Sequence, residues 1–77
     1  MVARGVTVPT IRELRERAGL SQMRLAVLVG VSLGAVRLWE SGKAEPKARH
    51  LLKLAEVLGV RPEEIEFGSH TQREEDR

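Results

Sequence analysis

The sequence predicts an all-α fold, a compact bundle of five short helices, and three observations lead to this prediction. Apolar residues recur every three or four positions in successive segments, which is the pattern of helices with one buried face. Ser, Thr and Gly, which favour helix starts and ends, separate these segments. The length of 77 residues allows one domain, near the lower limit for folding without disulfides, a metal or a partner.

The first helix is predicted from about Thr10 to Ala18. Thr10 is followed three residues later by Glu13, and this spacing is typical of a capping box, in which each side chain accepts a hydrogen bond from the other residue's backbone. Ile11, Leu14 and Ala18 share one face of this helix, which we expect to be buried.

The second and third helices are predicted at about residues 22–29 and 33–40, with Ser21 and Ser32 as their N-caps. Gly30 lies between them, where a chain leaving a helix often takes a left-handed conformation. Two helices joined by so short a turn form a helix-turn-helix, a unit that can place its second helix in the major groove of DNA. Their expected buried residues are Leu25, Ala26, Val29, Ala35, Val36 and Trp39.

The fourth helix is predicted at about residues 48–58. Its apolar stripe, at the i, i+3, i+4 and i+7 positions, consists of Leu51, Leu54, Ala55 and Leu58. Leu52 is expected to widen this stripe. A short fifth helix is predicted at about residues 62–66, because proline suits the first position of a helix, with Ile65 and Phe67 turned inward.

These elements divide the chain into three parts: an N-terminal arm (residues 1–9), a helical domain (residues 10–67) and a flexible polar tail (residues 68–77). The arm shows no helical period and ends in Pro9. The tail is predicted because it lacks apolar residues that could anchor it.

The composition suits a cytoplasmic protein. The chain has no cysteine, which excludes disulfides and thiolate metal sites and is compatible with a reducing compartment. No apolar run approaches the roughly 18 residues of a membrane span. The N-terminus lacks the apolar region of a signal peptide, so we expect neither secretion nor a membrane.

The sequence predicts no enzyme, no metal site and no cofactor. It contains no nucleophile paired with a base and no glycine-rich phosphate-binding loop. His50 and His70 have no second ligand at the spacing of a metal site.

The charge is distributed unevenly. Residues 1–60 carry ten Lys and Arg against five Glu, a net charge of +5, and residues 61–77 carry three Arg against six acidic residues, a net charge of −3. A basic domain is expected of a protein that binds phosphate groups. An ordinary solvated surface explains this charge nearly as well, so charge alone does not identify a partner.

A longer set of residues at fixed spacing extends over most of the chain. It consists of Leu14-Arg15, Ala18-Gly19-Leu20-Ser21-Gln22, Leu25-Ala26, Gly30-Val31-Ser32, Val36, Trp39-Glu40, Gly42, Pro46, Leu51 to Ala55, and Leu58-Gly59-Val60. In this set the chain resembles the helix-turn-helix domains of the Cro and phage-repressor class, often called XRE-type regulators. The resemblance covers about residues 10–67.

The resemblance implies a lambda-repressor-like bundle of five helices that binds double-stranded DNA as a homodimer and most often represses transcription. It also implies an ion pair between Arg15 of the first helix and Glu40 at the end of the third helix. Gln22 occupies a position at which the family contacts the DNA backbone and supports the third helix.

The third helix is expected to enter the major groove. At 100° per residue, the side that faces away from the core is formed by Leu33, Gly34, Arg37 and Leu38. Arg37 is the one side chain of this set that can bind guanine with two hydrogen bonds. The residues predicted to contact phosphates, at helix starts and in the loop after the third helix, are Ser21, Gln22, Ser32, Ser41, Lys43 and Lys47.

The two leucines on this side leave two interpretations open. Leucine can touch a thymine methyl group but cannot hydrogen-bond a purine edge. In the first interpretation, specificity comes from Arg37, thymine methyl groups and DNA shape. Alternatively, Leu33 and Leu38 contact protein, and the chain is an interaction module such as an antitoxin or a coactivator-type bridge, with a toxin or a polymerase component as its partner.

Overall fold

The structure is a computed structural model and describes residues 9–65. This part of the chain contains four α-helices and one short 3₁₀ helix. The elements are α1 (Ile11–Arg17), α2 (Gln22–Val29), α3 (Leu33–Ser41), α4 (Ala48–Leu58) and the 3₁₀ helix (Pro62–Glu64). The all-α fold class is confirmed. The predicted arm (apart from Pro9), the predicted tail and Phe67 lie outside the described residues.

Three helices begin with side-chain caps, as their sequences predict. Thr10 and Glu13 form the complete capping box of α1, with N–H to oxygen distances of 3.0 and 3.1 Å. The Ser21 hydroxyl accepts a hydrogen bond from the Arg24 backbone N–H at 3.0 Å and caps α2. Ser32 caps α3 in the same way, and each cap satisfies a backbone donor that a helix start would leave without a partner.

The turn between α2 and α3 is three residues long and depends on glycine. Gly30 ends α2 in the left-handed conformation, with φ 86° and ψ 34°, and its N–H donates to the Ala26 carbonyl at 2.8 Å. The two helices are bent by 112° at this turn. An angle of about 90–120° with a turn of three or four residues is typical of a helix-turn-helix.

The core lies where α2, α3 and α4 meet, with α1 packed against α3. Its buried apolar residues are Ile11, Leu14, Leu25, Ala26, Val29, Val36, Trp39, Leu54, Ala55 and Ile65. Leu51, Leu58 and Ala35 pack against this core but are only partly buried.

Two expected core residues lie on the surface instead. Ala18 is exposed because α1 ends at Arg17 and Ala18 is its C-cap. Leu52 is 61% exposed. It lies two residues before Leu54, which is fully buried, and positions two residues apart on a helix point in directions that differ by about 200°.

The fifth helix is shorter than predicted. A single 3₁₀ turn replaces the α-helix expected to reach Glu66, which lies outside the described residues. The backbone is already extended at Ile65, with φ −104° and ψ 128°, and the Ile65 side chain is buried in the core. The extended backbone ends the helix at the residue that anchors this segment.

No single helix among residues 9–65 is long and apolar enough to cross a membrane. The bent pair formed by α2 and α3 satisfies the same criteria by length and composition only.

We predict opposite effects for alanine at two glycines of the helix-turn-helix. Gly30→Ala should lower the free energy of unfolding by about 1–2 kcal/mol, because a side chain is disfavoured in the left-handed region. Gly34→Ala should raise it by about 0.5 kcal/mol, because Gly34 is helical and a Cβ there would meet only the Ser32 Oγ, at 3.8 Å. Urea denaturation of both variants measures the difference, and equal effects would contradict the assigned role of Gly30.

Candidate nucleic-acid interface

An ion pair between α1 and the end of α3 fixes the position of α3. The Arg15 Nε donates to Glu40 Oε2 at 2.6 Å, and Arg15 Nη2 donates to Glu40 Oε1 at 3.2 Å. Only 11% of the Arg15 side chain and 6% of the Glu40 side chain are exposed. Two parallel hydrogen bonds between a guanidinium and a carboxylate hold both groups in one orientation.

Two further hydrogen bonds extend this pair. Gln22, the first residue of α2, donates through its side-chain Nε2 to Glu40 Oε1 at 3.0 Å. Arg15 Nη1 donates to the Leu20 carbonyl at 2.8 Å, in the connection between α1 and α2. The Arg15–Glu40–Gln22 network therefore joins three helices, and in the described part of the chain no buried side-chain nitrogen or oxygen lacks a partner.

The network also stabilises the charge on Arg15. The hydrogen bond to Glu40 is the largest cause that raises the pKa of Arg15 above its ordinary value, and burial acts in the opposite direction. Arginine is effectively always protonated in proteins, and Arg15 therefore carries its charge in this mostly buried position beside Glu40.

The outward side of α3 carries most of the residues predicted to read DNA bases. Gly34, Arg37 and Leu38 are exposed, whereas Leu33 is half-buried. Trp39 and Val36 lie on the opposite side of α3, in the core, with exposures of 7% and 0%. The helix thus has one side fixed in the bundle and one side open to a ligand.

The starts of α2 and α3 carry hydrogen-bond donors that a phosphate could accept from. Ser21 and Ser32 accept backbone hydrogen bonds through Oγ and are both exposed, so each hydroxyl can still donate its proton. The first backbone N–H groups of an α-helix have no partner within the helix, and its dipole favours an anion there. Lys43 and Lys47 are exposed in the loop that follows α3.

Two predicted phosphate ligands have partners inside the domain. The Ser41 hydroxyl donates to the Leu38 carbonyl at 3.1 Å, so its proton is not available to a phosphate in this conformation. Gln22 uses its amide nitrogen to hold Glu40. The structure therefore shows Gln22 supporting α3, and a contact from Gln22 to DNA remains a prediction.

The structure adds two side chains that sequence reasoning missed. Arg24 lies in the first turn of α2 beside Ser21, is exposed and forms no ion pair within residues 9–65. A basic residue next to a predicted phosphate contact is a signal that the sequence does contain. The His50 ring packs against Trp39, with 5.9 Å between ring centroids and a tilt of 43°. No local pattern indicates that contact, since α4 brings His50 to α3.

Within residues 9–65 the structure contains no group of three or more His, Cys, Asp or Glu side chains that could hold a metal ion. His70 lies outside the described residues.

Comparison with known proteins gives one matching family and several similar proteins. Residues 11–65 match the family described as Helix-turn-helix. The chain is 36% identical over 62 residues to the SPbeta prophage-derived uncharacterized HTH-type transcriptional regulator YonR of Bacillus subtilis (strain 168). It is 34% identical over 62 residues to Repressor protein C2 of Salmonella phage P22. It is 38% identical over 55 residues to an uncharacterized HTH-type transcriptional regulator of Archaeoglobus fulgidus. No solved structure matches the chain.

These matches cover most of this chain but unequal shares of the relatives. They span 80%, 80% and 71% of this chain, in the order given. The chain spans 57% of the length of the Bacillus relative, 29% of the phage repressor and 79% of the archaeal relative. The names of all three relatives describe regulators or a repressor, and none describes an enzyme.

We predict that removing one partner of the Arg15–Glu40–Gln22 network destabilises the domain strongly. Glu40→Ala should lower the free energy of unfolding by about 2–4 kcal/mol, because it leaves the Arg15 charge in a mostly buried position without its carboxylate. Urea denaturation measures this change.

Glu56→Ala is the matched control for that measurement. Glu56 pairs with Lys53 at 3.7 Å, but 73% of its side chain is exposed. Its loss should cost less than about 0.5 kcal/mol. If the two variants were equally stable, the assigned role of the network would be wrong.

Proposed function

The chain belongs to the helix-turn-helix family of transcriptional regulators, and we propose that it binds specific DNA sequences in the cytoplasm and represses transcription. One observation carries this proposal. α3 is bent by 112° from α2 and held on its inner side by the Arg15–Glu40–Gln22 network, while its outer side is open. This is the arrangement needed to insert one helix into the major groove.

In the proposed complex, α3 lies in the major groove and the groups around it contact the backbone. Arg37 reaches a guanine edge, a contact worth about 1–3 kcal/mol of discrimination between bases. The proposed phosphate contacts come from exposed groups at the starts of α2 and α3 and in the loop after α3: Ser21, Arg24, Ser32, Lys43 and Lys47. Ser41 and Gln22 could contribute only beside, or after release from, their present hydrogen bonds.

Repression would follow from occupancy of the site by a homodimer. Two copies of α3 related by a two-fold axis would enter successive major grooves about 34 Å apart. A dimer bound there would exclude the polymerase or a neighbouring activator. The support for a dimer is the similarity to a phage repressor over most of this chain.

A second candidate function is a protein-interaction module, and the outer side of α2 favours it. Met23 is 54% exposed and Val27 is 59% exposed, and the two lie one turn apart on the same face of the helix. Exposed apolar residues that form a stripe are typical of contacts with protein. This alternative predicts no binding to duplex DNA at low or high salt.

We predict that binding to DNA falls steeply with salt. If about five phosphates are contacted by charged groups per dimer, log affinity should decrease against log salt with a slope of about −4 to −5. Fluorescence anisotropy with a random duplex and with a duplex selected from random DNA measures this slope. Binding to neither duplex at any salt concentration would refute the proposed function.

We predict that Lys43→Ala weakens binding to all sequences by a similar factor, because a phosphate contact carries no sequence information. It should make the salt slope of the dimer smaller by about two units, one for each protomer. Arg61→Ala is the charge-matched control. Arg61 precedes the 3₁₀ helix and pairs with Glu63 and Glu64, and its loss should leave the slope unchanged. A Lys43→Ala defect confined to one sequence would contradict the phosphate assignment.

We predict that Arg37→Ala relaxes sequence preference. Affinity for the selected duplex should fall by about five-fold to 150-fold, the equivalent of about 1–3 kcal/mol, while affinity for random duplex changes much less. Repeating the site selection with the variant measures this effect. If the variant selected the same site with the same preference, Arg37 would not be the residue that reads guanine.

A further inference from the structure

We propose that α3 recognises thymine methyl groups through Leu38, so that the chain's DNA site contains a thymine close to the guanine bound by Arg37. This inference rests on the proposed function and names the chemistry by which the same surface selects its DNA. Three features of the described residues support it.

The first feature is a shortage of free hydrogen-bonding groups around the outer side of α3. Ser41 donates its proton to the Leu38 carbonyl, and Gln22 holds Glu40. The Ser32 hydroxyl accepts the Ala35 backbone N–H and keeps a proton to donate, but it lies at the start of α3, where it is assigned to a phosphate. Arg37 is the exposed side chain of α3 that keeps several donors without a partner among residues 9–65. One arginine can specify a guanine but cannot specify the bases beside it.

The second feature is the exposure of Leu38. Its exposed fraction is 47%, whereas Val36 and Trp39 on the inner side of α3 are 0% and 7% exposed. About half of the Leu38 surface is therefore open to a ligand, and the buried core is formed by other residues. The methyl group of thymine is the apolar group that base pairs present in the major groove, and it is the group there that a leucine can recognise.

The third feature is Gly34, which lies one turn before Leu38 on the same side of α3. The fold does not require a glycine there, because a Cβ would meet only the Ser32 Oγ, at an ordinary contact distance of 3.8 Å. A glycine inside a helix costs about 0.5–1 kcal/mol relative to alanine. The missing side chain lets the backbone of α3 approach the floor of the groove, and a side chain as short as leucine needs that approach to reach a base.

The test replaces single thymines of the selected duplex by deoxyuridine. This change removes one methyl group and keeps every hydrogen bond of the base pair. We expect wild-type protein to lose about four-fold in affinity at one or more positions within each half-site, the equivalent of about 0.8 kcal/mol for one buried carbon. Uracil in the flanking sequence is the control and should have no effect.

Variants then assign the methyl contact to a residue. Leu38→Ala and Leu38→Gln should bind the thymine and uracil duplexes equally, and Arg37→Ala should keep the difference while losing overall affinity. Circular dichroism confirms that each variant is folded, which we expect because position 38 is exposed.

The outcomes separate this inference from the proposed function. Specific binding with equal affinity for thymine and uracil at every position would refute the inference and leave the proposed function intact. A thymine preference that persists in both Leu38 variants would also refute it, because another residue would make the contact. Binding to no duplex would refute the proposed function itself.

Discussion

The arrangement of this domain depends on one buried interaction, the ion pair between Arg15 and Glu40. Arg15 lies on α1 and Glu40 lies near the end of α3, and Gln22 at the start of α2 donates to the same carboxylate. Three helices thus meet at one carboxylate, and the charges satisfy one another with little exposure to water. A buried pair of this kind contributes little to net stability compared with apolar packing, but removing one partner is costly. Its effect is to allow one orientation of α3 against the other two helices.

The two sides of α3 have different roles. Val36 and Trp39 pack into the core and Glu40 closes the network, so the inner side is fully used by the fold. The outer side carries Arg37 and Leu38, neither of which the fold requires. In a domain of this size the core has few residues, and a helix that both packs and reads a ligand must divide its surface in this way.

The outer side of α3 carries fewer hydrogen-bonding side chains than a helix that recognises bases by hydrogen bonds would need, and the neighbouring polar groups do not make up for this. The polar groups at its border already have partners: Gln22 binds Glu40 and joins α2 to α3, and Ser41 binds the Leu38 carbonyl within α3. The groups left for a ligand are a guanidinium, an apolar side chain and exposed backbone at Gly34. These are different from the amides and hydroxyls that usually read adenine. In the proposed complex with DNA, this combination would recognise DNA shape and thymine methyl groups in addition to guanine.

The sequence by itself determined the features that depend on near neighbours. The helix starts at Ser21 and Ser32, the capping box at Thr10 and the turn at Gly30 could be predicted because each involves contacts within a few residues. The Arg15–Glu40 contact was indicated only by resemblance, because its partners are 25 residues apart and meet only when the helices pack. The support that Gln22 gives α3 was likewise indicated only by resemblance, because its partner Glu40 is 18 residues away. The Ser41 bond to the Leu38 carbonyl lies within one turn of α3 and is a local contact that serine often makes inside a helix. Tertiary structure alone decided that Leu52 lies outside the core and that the last helix is one 3₁₀ turn. A periodic pattern indicates which residues share a helix face, but only the packing of other helices decides how much of that face is covered.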